Sequence, residues 1–226
     1  GRSQRECDDA NERAGDLLRE RALHVLNPIN TLAKVLWLRE NEPDCYADAY
    51  HILIPKDWIR FRLTGGFASD VSDASVSGAL DLYTRDWSDE ILDTLKVRRD
   101  LFPPVVESPT IVGKITEAAA AETGLVAGTA VCAGGGDMAC MAVGGGVIKP
   151  GIVNVGIGTA GHVLTFAENI SDEAFNQLWP MCHAVPGKYF WLGCSYTGGA
   201  SLAWFRDQFG GGFEDLTAQA ANVPTG

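Results

Sequence analysis

The sequence predicts an α/β protein, and three observations carry that expectation. Residues 4–123 repeatedly place apolar side chains at helical spacing, with capping residues or prolines at the segment ends. After residue 128 the texture changes to short β-branched runs separated by glycine clusters, the pattern of strands and tight turns. The 226 residues are 46% hydrophobic and 21% charged, which suits a globular chain and not a disordered or fibrous one. A chain of this size buries roughly 70% of its unfolded surface, enough for a sizeable core.

Each element follows from local chemistry. Residues 4–26 carry Ala14, Leu17, Leu18, Ala22 and Val25 among charges, so an amphipathic surface helix is expected, broken by Asn27-Pro28. Thr31 to Asn41 is a second helix with Leu32, Val35, Leu36 and Trp37 as its apolar residues, and Pro43 stops it. Pro55 opens a third at its first turn, closed by Gly65-Gly66. The Ser/Asp-rich stretch Ser69 to Ser77 holds Asp70 and Asp73, whose spacing does not follow a calcium loop. Asp86 to Glu90 caps a short helix reaching Leu95, and Pro103-Pro104 begins an extended segment. Thr116 to Thr123 is an alanine-rich helix ending at Gly124. Ala130 to Ala133 then leads through Gly134-Gly135-Gly136-Asp137 into an Ala/Gly helix that runs to about Gly146. Ile152 to Ile157 and His162 to Phe166 read as paired strands, Tyr189 to Cys194 as another, and Ala200 to Phe209 as the last helix. The change of texture at Gly146 to Gly151 divides the chain into residues 1–147 and 148–226.

Charge and composition exclude several functions. Eighteen Lys and Arg against 29 Asp and Glu leave a net charge of −11, with no basic run longer than Arg98-Arg99, so neither nucleic acid nor an anionic membrane is an expected partner. No stretch approaches the ~20 apolar residues of a membrane helix. The polar start Gly1 to Glu6, without Met, is expected to lie mid-protein rather than in a leader peptide. The six cysteines have no C-x-x-C spacing and are expected to be buried, reduced thiols of a cytoplasmic protein. His24, His51, His162 and His183 lie at no metal-ligand spacing and read as structural or surface residues. No G-x-S-x-G elbow is present.

Three glycine sites could carry chemistry. In the first, Asp137 follows a glycine run at a strand end, where it could take a proton from a bound hydroxyl or simply cap the helix behind it. In the second, Gly156 to Gly161 formally matches G-x-G-x-x-G, the mark of a nicotinamide-type dinucleotide site. That site needs a helix to follow, and His162 to Phe166 reads as a strand. A hairpin of this kind can still aim N–H groups and the Thr159 hydroxyl at phosphate oxygens. In the third, Gly198-Gly199 opens the last helix and could lie flat against a base or ribose, or make a close strand-to-helix turn.

Taken in order, these segments resemble the FGGY carbohydrate kinases, and within them the xylulokinase branch. Gly1 to Cys7 is similar to the segment after the family's Trp-Asn-Asp, and Thr31 to Asn41 to its first signature, from which Ile29 departs. Pro55 to Arg60, Leu63 to Gly65, Ser69 to Ser75, Arg85 to Ser88, Gly134 to Asp137, Gly158-Thr159 and Trp204 to Asp207 continue the match. The resemblance implies a ribonuclease H-like (actin-like ATPase) two-domain sugar kinase fold, truncated at both ends. Residues 1–147 would be the latter part of the first domain and 148–226 the beginning of the second. The first phosphate hairpin, the early sugar-binding segment and the adenine-binding region would be missing.

The implied reaction is ATP-dependent phosphorylation of a sugar hydroxyl, with D-xylulose favoured. A ribulose, fuculose or glycerol type of substrate and a non-catalytic sugar-binding descendant stay open. By resemblance Asp137 is the catalytic base and the residue facing Mg²⁺, through a bridging water. Gly158 and Thr159 contact phosphate, and Gly199 contacts the nucleotide. Asp70 and Asp73 match family positions read as structural. Met138 departs from the family, which has Asn or Gln beside the base. A thioether donates no hydrogen bond, and an unpaired substrate oxygen costs ~1–3 kcal/mol, so Met138 is expected to alter sugar choice. The implied partners are ATP and a small sugar, and a homodimer stays open.

Overall fold

The computed structural model describes residues 1–171 and 178–224. Helices dominate the first half: α1 Gln4–Arg21, α2 Thr31–Asn41, α3 Pro43–Asp48 and α4 Pro55–Thr64. The two-residue strand β1 (Ser69–Asp70) runs directly into the short helix α5 (Val71–Ala74). Strands β2 (Leu80–Asp81) and β3 (Asp86–Trp87) form a small antiparallel pair before α6 (Asp89–Thr94). Strand β4 (Val105–Val106) pairs parallel with β1, so that Ser69 lies opposite Val105 and Asp70 opposite Val106. Strands β5 (Ile111–Lys114) and β6 (Ala130–Cys132) pair antiparallel around α7 (Glu117–Thr123), and β6 leads through the glycine run into α8 (Asp137–Gly144).

The second half is built on one antiparallel sheet of order β7-β8-β10-β9, from β7 (Val153–Ile157), β8 (Gly161–Ala167), β9 (Trp179–Cys182) and β10 (Tyr189–Ser195). Helices α9 (Gly199–Phe209) and α10 (Phe213–Ala220) follow it.

Several helix ends are set by capping chemistry, and the closing glycines were read from sequence. Ser88 Oγ accepts from Ile91 N and Thr116 Oγ1 from Ala119 N, while Gly65 and Gly124 close α4 and α7 with positive φ. Other boundaries differ. Helix α1 stops at Arg21 because Leu23 takes a left-handed φ of 54°, and Ala22, Leu23 and Leu26 then enter the core from a turn. Pro43 ends α2 and also starts α3, since a proline at the first helical position sacrifices no helix hydrogen bond. The cysteines correct another expectation: all six are free, but only Cys7 and Cys182 are buried, and the other four are exposed.

Two apolar clusters hold the chain together. One gathers Leu18, Leu32, Leu80, Leu82, Ile91 and Leu101 under α1, α2 and α6. The other seats Ala139, Ala142 and Val147 against Leu164, Phe166, Phe190 and Leu192, so α8 packs on one face of the four-stranded sheet. Fully buried side chains such as Leu164 and Phe190 each contribute about 1.5–3 kcal/mol of apolar transfer. That packing brings the start of α8, with Asp137, to the sheet that carries the other glycine turns. No described helix is long and apolar enough to cross a membrane.

Candidate functional site

Asp137 is exposed and occupies the first position of α8, with Gly136 in the cap position. Its Oδ1 accepts a hydrogen bond from the adjacent Met138 N at 2.7 Å, but Gly136 holds the cap position and the helix has no side-chain cap, so Asp137 is not the N-cap that the capping alternative expected. Behind it, the loop 133–136 is tied at almost every residue. Arg60 Nη1 donates to the Ala133 carbonyl at 2.6 Å, and Gly134 N to the Ser108 carbonyl at 3.1 Å. Cys140 Sγ reaches the Gly135 carbonyl at 3.5 Å, and Gly136 N donates to Ser72 Oγ at 3.0 Å. Gly134 adopts a φ of 82°, a conformation that favours glycine.

Under this loop lies a charge network that the sequence reading did not assemble. Lys56 Nζ stands 2.6 Å from Asp57, 2.9 Å from Asp70 and 3.7 Å from Asp73, and Asp57 also pairs with Arg60 at 2.9 Å. Burial pulls the Lys56 ammonium down, but Asp70 and Asp57 outweigh it and hold the group above its ordinary value. Asp70 is fully buried; its Oδ2 accepts from Ser72 N, from Ser72 Oγ and from Ser108 Oγ. Burial pushes Asp73 up to about 6; Lys56 opposes this, and Asp70, Asp57 and Asp137 add to it. Asp73 therefore senses the charge on Asp137.

The two remaining glycine sites meet in space. The β7–β8 turn and the start of α9 are joined backbone to backbone: Gly198 N donates to Thr159 O at 2.7 Å, Gly199 N to Gly158 O at 2.7 Å, and Ala200 N to Thr159 O at 3.2 Å. A Cβ on Gly199 would stand 2.9 Å from the Gly158 oxygen, and one on Gly198 3.0 Å from Ala160. The close turn, one of the two alternatives, thus accounts for both glycines. Beside it opens a cleft of about 530 Å³ lined by Gly158, Thr159, Gly199, Ala200, Trp204 and Asp207, among others. That volume lies within the range of small-ligand sites.

The strand β8 directly follows Gly161, which rejects a dinucleotide-binding helix at Gly156 to Gly161. Gly156 has another reason to be glycine, since a Cβ there would fall 2.0 Å from the His162 ring. Met138 is half-buried and packs against the second apolar cluster. Burial and then the Asp137 carboxylate push the Cys194 thiol up, so Asp137 lies within electrostatic reach of β10.

A phosphate-bearing ligand fits these residues in two respects. The lining of the cleft offers the Thr159 residue at a glycine turn, with the Asp207 carboxylate and no basic side chain, and the N–H groups of Gly158 and Gly198 to Ala200 are already given to carbonyls, so a polyphosphate there would need a cation for neutralisation. Asp137, an exposed carboxylate within electrostatic reach of β10, offers an oxygen suited to a hydrated Mg²⁺. No group of three or more His, Cys, Asp or Glu side chains that could hold a metal exists among the described residues.

Comparison with known proteins places this geometry. The model of the FGGY family of carbohydrate kinases, N-terminal domain, matches residues 1–144. The chain is 33% identical over 98% of its length to a xylulose kinase of Bacillus subtilis (strain 168), covering 45% of that protein. It is 36% identical over 87% of its length to an autoinducer-2 kinase of Yersinia enterocolitica, covering 37% of that protein. Among solved structures, a xyloylose kinase from Brucella ovis superposes with a TM-score of 0.89 at 29% identity, over 99% of this chain and 46% of that one. The chain thus spans about half the length of the curated relatives it matches. Its fold is the actin-like ATPase fold of the sugar kinases. A family model over most of the chain, together with relatives above 30% identity, shows that this chain belongs to the FGGY family of carbohydrate kinases.

Proposed function

We propose that the complete protein transfers the γ-phosphoryl group of ATP to a hydroxyl of a small sugar, with D-xylulose as the favoured acceptor. The observation that carries this reading is the pairing of an exposed carboxylate on a firmly tied loop with a glycine-turn cleft on the same sheet system. The xylulose kinase relatives support the sugar, and the autoinducer-2 kinase relatives keep another polyhydroxylated acceptor in view.

In this reading Asp137 accepts the proton of the sugar hydroxyl as its oxygen attacks the γ-phosphorus. The new O–P bond forms while the bond from the γ-phosphorus to the bridging oxygen breaks, and ADP leaves. Phosphoryl transfer depends chiefly on positioning and charge stabilisation, so one placed carboxylate and a set of donors suffice. Gly158 and Thr159 would present backbone and hydroxyl to phosphate, and Gly199 would let the nucleotide approach the start of α9. Mg²⁺, when bound, would neutralise phosphate charge, held through water by Asp137. Met138 would shape sugar preference by leaving one substrate hydroxyl without an amide partner. We take residues 1–147 and 148–226 as parts of the two kinase domains, noting that α8 shares its apolar packing with the sheet beyond that point.

The test is an ADP-release assay of the complete protein across a panel of ketoses, polyols and autoinducer-2. Fastest turnover with D-xylulose is expected. Turnover with another acceptor at a higher kcat/KM would replace the sugar, and no acceptor-dependent ADP release across the panel would overturn the kinase reading.

A further inference from the structure

The loop carrying Asp137 is bonded to a hydroxyl that belongs to another segment. Ser72 is 3% exposed and sits in the first turn of α5. Its hydroxyl donates to Asp70 Oδ2 at 2.5 Å and accepts from Gly136 N at 3.0 Å, one residue before Asp137. Ser108 repeats the device: its hydroxyl donates to the same Asp70 oxygen at 2.8 Å, and its carbonyl accepts from Gly134 N at 3.1 Å. Asp70 itself is anchored by the Lys56 ammonium at 2.9 Å. Gly135 is closely approached, since a Cβ there would stand 3.1 Å from Cys140 Sγ and 3.3 Å from Ser72 Oγ, and Gly136 lies in ordinary contact distance of Asp73.

We infer that Ser72 is a positioning residue for Asp137: its hydroxyl, polarised by buried Asp70 with its half-buried Lys56 partner, fixes the Gly136 amide and thereby the direction of the carboxylate. The inference rests on the reading of Asp137 as the base. An Oγ that donates to a buried carboxylate is a stronger acceptor than an isolated hydroxyl, since successive hydrogen bonds polarise one another. Replacing it by a methyl group leaves the Gly136 N–H without its partner and takes one of three donors from Asp70. The helix start would be free to tilt, and misplacement of a reacting group by about 1 Å can cost up to ~10²-fold in rate.

The experiment compares Ser72→Ala, Ser72→Thr, Asp137→Asn and the Ser72→Ala/Asp137→Asn double variant in the complete kinase, with ATP and D-xylulose. Circular dichroism and thermal midpoints establish that each variant is folded. Ser72→Ala is expected to lower kcat about 10- to 100-fold, with KM for ATP changed less than about 2-fold. Ser72→Thr, which keeps the hydroxyl, is expected to recover most of kcat. In the Asp137→Asn background the Ser72→Ala loss is expected to vanish, because the two residues act as a unit. An equal fold-loss in both backgrounds would mean that Ser72 merely supports the scaffold, and would overturn the inference. So would near-normal kcat in Ser72→Ala when Asp137→Asn is inert, an outcome that leaves the base reading standing. Near-normal kcat in Asp137→Asn would remove the base reading and this inference with it. If Ser72→Ala does not fold, Ser72→Cys carries the same comparison, with a weaker donor and acceptor at similar volume and a smaller expected loss; normal kcat there overturns the inference.

Discussion

The two halves of the site are built in opposite ways. The loop 133–136 before Asp137 is held by side chains of Arg60, Ser72 and Cys140 and by the Ser108 backbone, over buried Asp70 and its half-buried partner Lys56. The turn at Gly158-Thr159 is held by backbone alone, against Gly198 to Ala200, and borders an open cleft. In the proposed reading, one side chain that abstracts one proton needs its angle and distance fixed, and a network of charged hydrogen bonds does that. A polyphosphate spreads its charge over several oxygens, and closely approached backbone meets such a ligand well. The first half is therefore sensitive to loss of a single polar group, and the second to addition of a single methyl group.

The comparison breaks most sharply with the chain itself. Because the 226 residues span about half of the matching relatives, we expect no sugar-dependent ATP consumption by this chain alone. A coupled ADP-release assay showing repeated turnover with xylulose would mean that both halves of the site are sufficient as they stand. Next in size is Asp137→Asn in the complete kinase, where kcat is expected to fall about 10²–10⁴-fold with ATP binding retained. Calorimetry of ATP binding and steady-state kinetics check the two parts separately.

The sequence made some of this legible and hid the rest for physical reasons. Caps are local, so α6 and α7 and the Gly124 that closes α7 could be read directly. The β7–β8 hairpin was also visible in its alternation around a glycine turn. Strand β9 escaped notice because Pro180 sits inside it; the strand lies at the sheet edge, where a missing N–H is tolerated. Helix α10, between Phe213 and Ala220, was also not read. Each glycine site was recognisable singly, but the contact of Gly158 with Gly199 is tertiary and leaves no trace in local pattern. Lys56 and Ser72 were missed for the same reason. A lysine in a first helical turn and a serine in a Ser/Asp-rich stretch look ordinary until Asp70 brings them together.

Gly199→Ala sharpens the second half of the comparison. The new Cβ would lie 2.9 Å from the Gly158 oxygen, so backbone on one side must move. We expect ATP binding at least about 10-fold weaker and a stability loss of about 1–3 kcal/mol. Gly144→Ala is the control: a Cβ there meets nothing within 4 Å, and the change should be neutral or stabilising by about 0.4–1 kcal/mol. Equal effects of the two would show that closeness of the turns is unimportant. Met138→Asn is expected to act more gently on chemistry, shifting the kcat/KM ratio between ketoses by up to ~10-fold for each 1.4 kcal/mol gained. Since Met138 also packs on the second cluster, a lowered thermal midpoint with an unchanged ratio would assign it to the core alone.

The smallest expected effect reads the charge beneath the tied loop. Asp73, with its side chain 29% exposed, is pushed up from 3.8 to about 6, first by burial and then, against Lys56, by Asp70, Asp57 and Asp137. Its pKa is higher in the folded than in the unfolded chain, so the folded form holds the proton more tightly. The carboxyl group therefore costs stability as pH rises from 3.8 to about 6, and the penalty persists above that window. Asp73→Asn removes the ionisation. At pH 7.5 it is expected to stabilise the chain by about 1 kcal/mol, a value reduced for partial exposure and equal to about 2–4 °C in Tm. At pH 4 the gain should disappear, because wild-type Asp73 is then protonated and Asn mimics it. Asp137→Asn should lower the Asp73 pKa, which a carboxyl-carbon NMR titration would follow. A Tm difference independent of pH would show that Asp73 acts through packing, and an Asp73 titration indifferent to Asp137 would separate the network from Asp137.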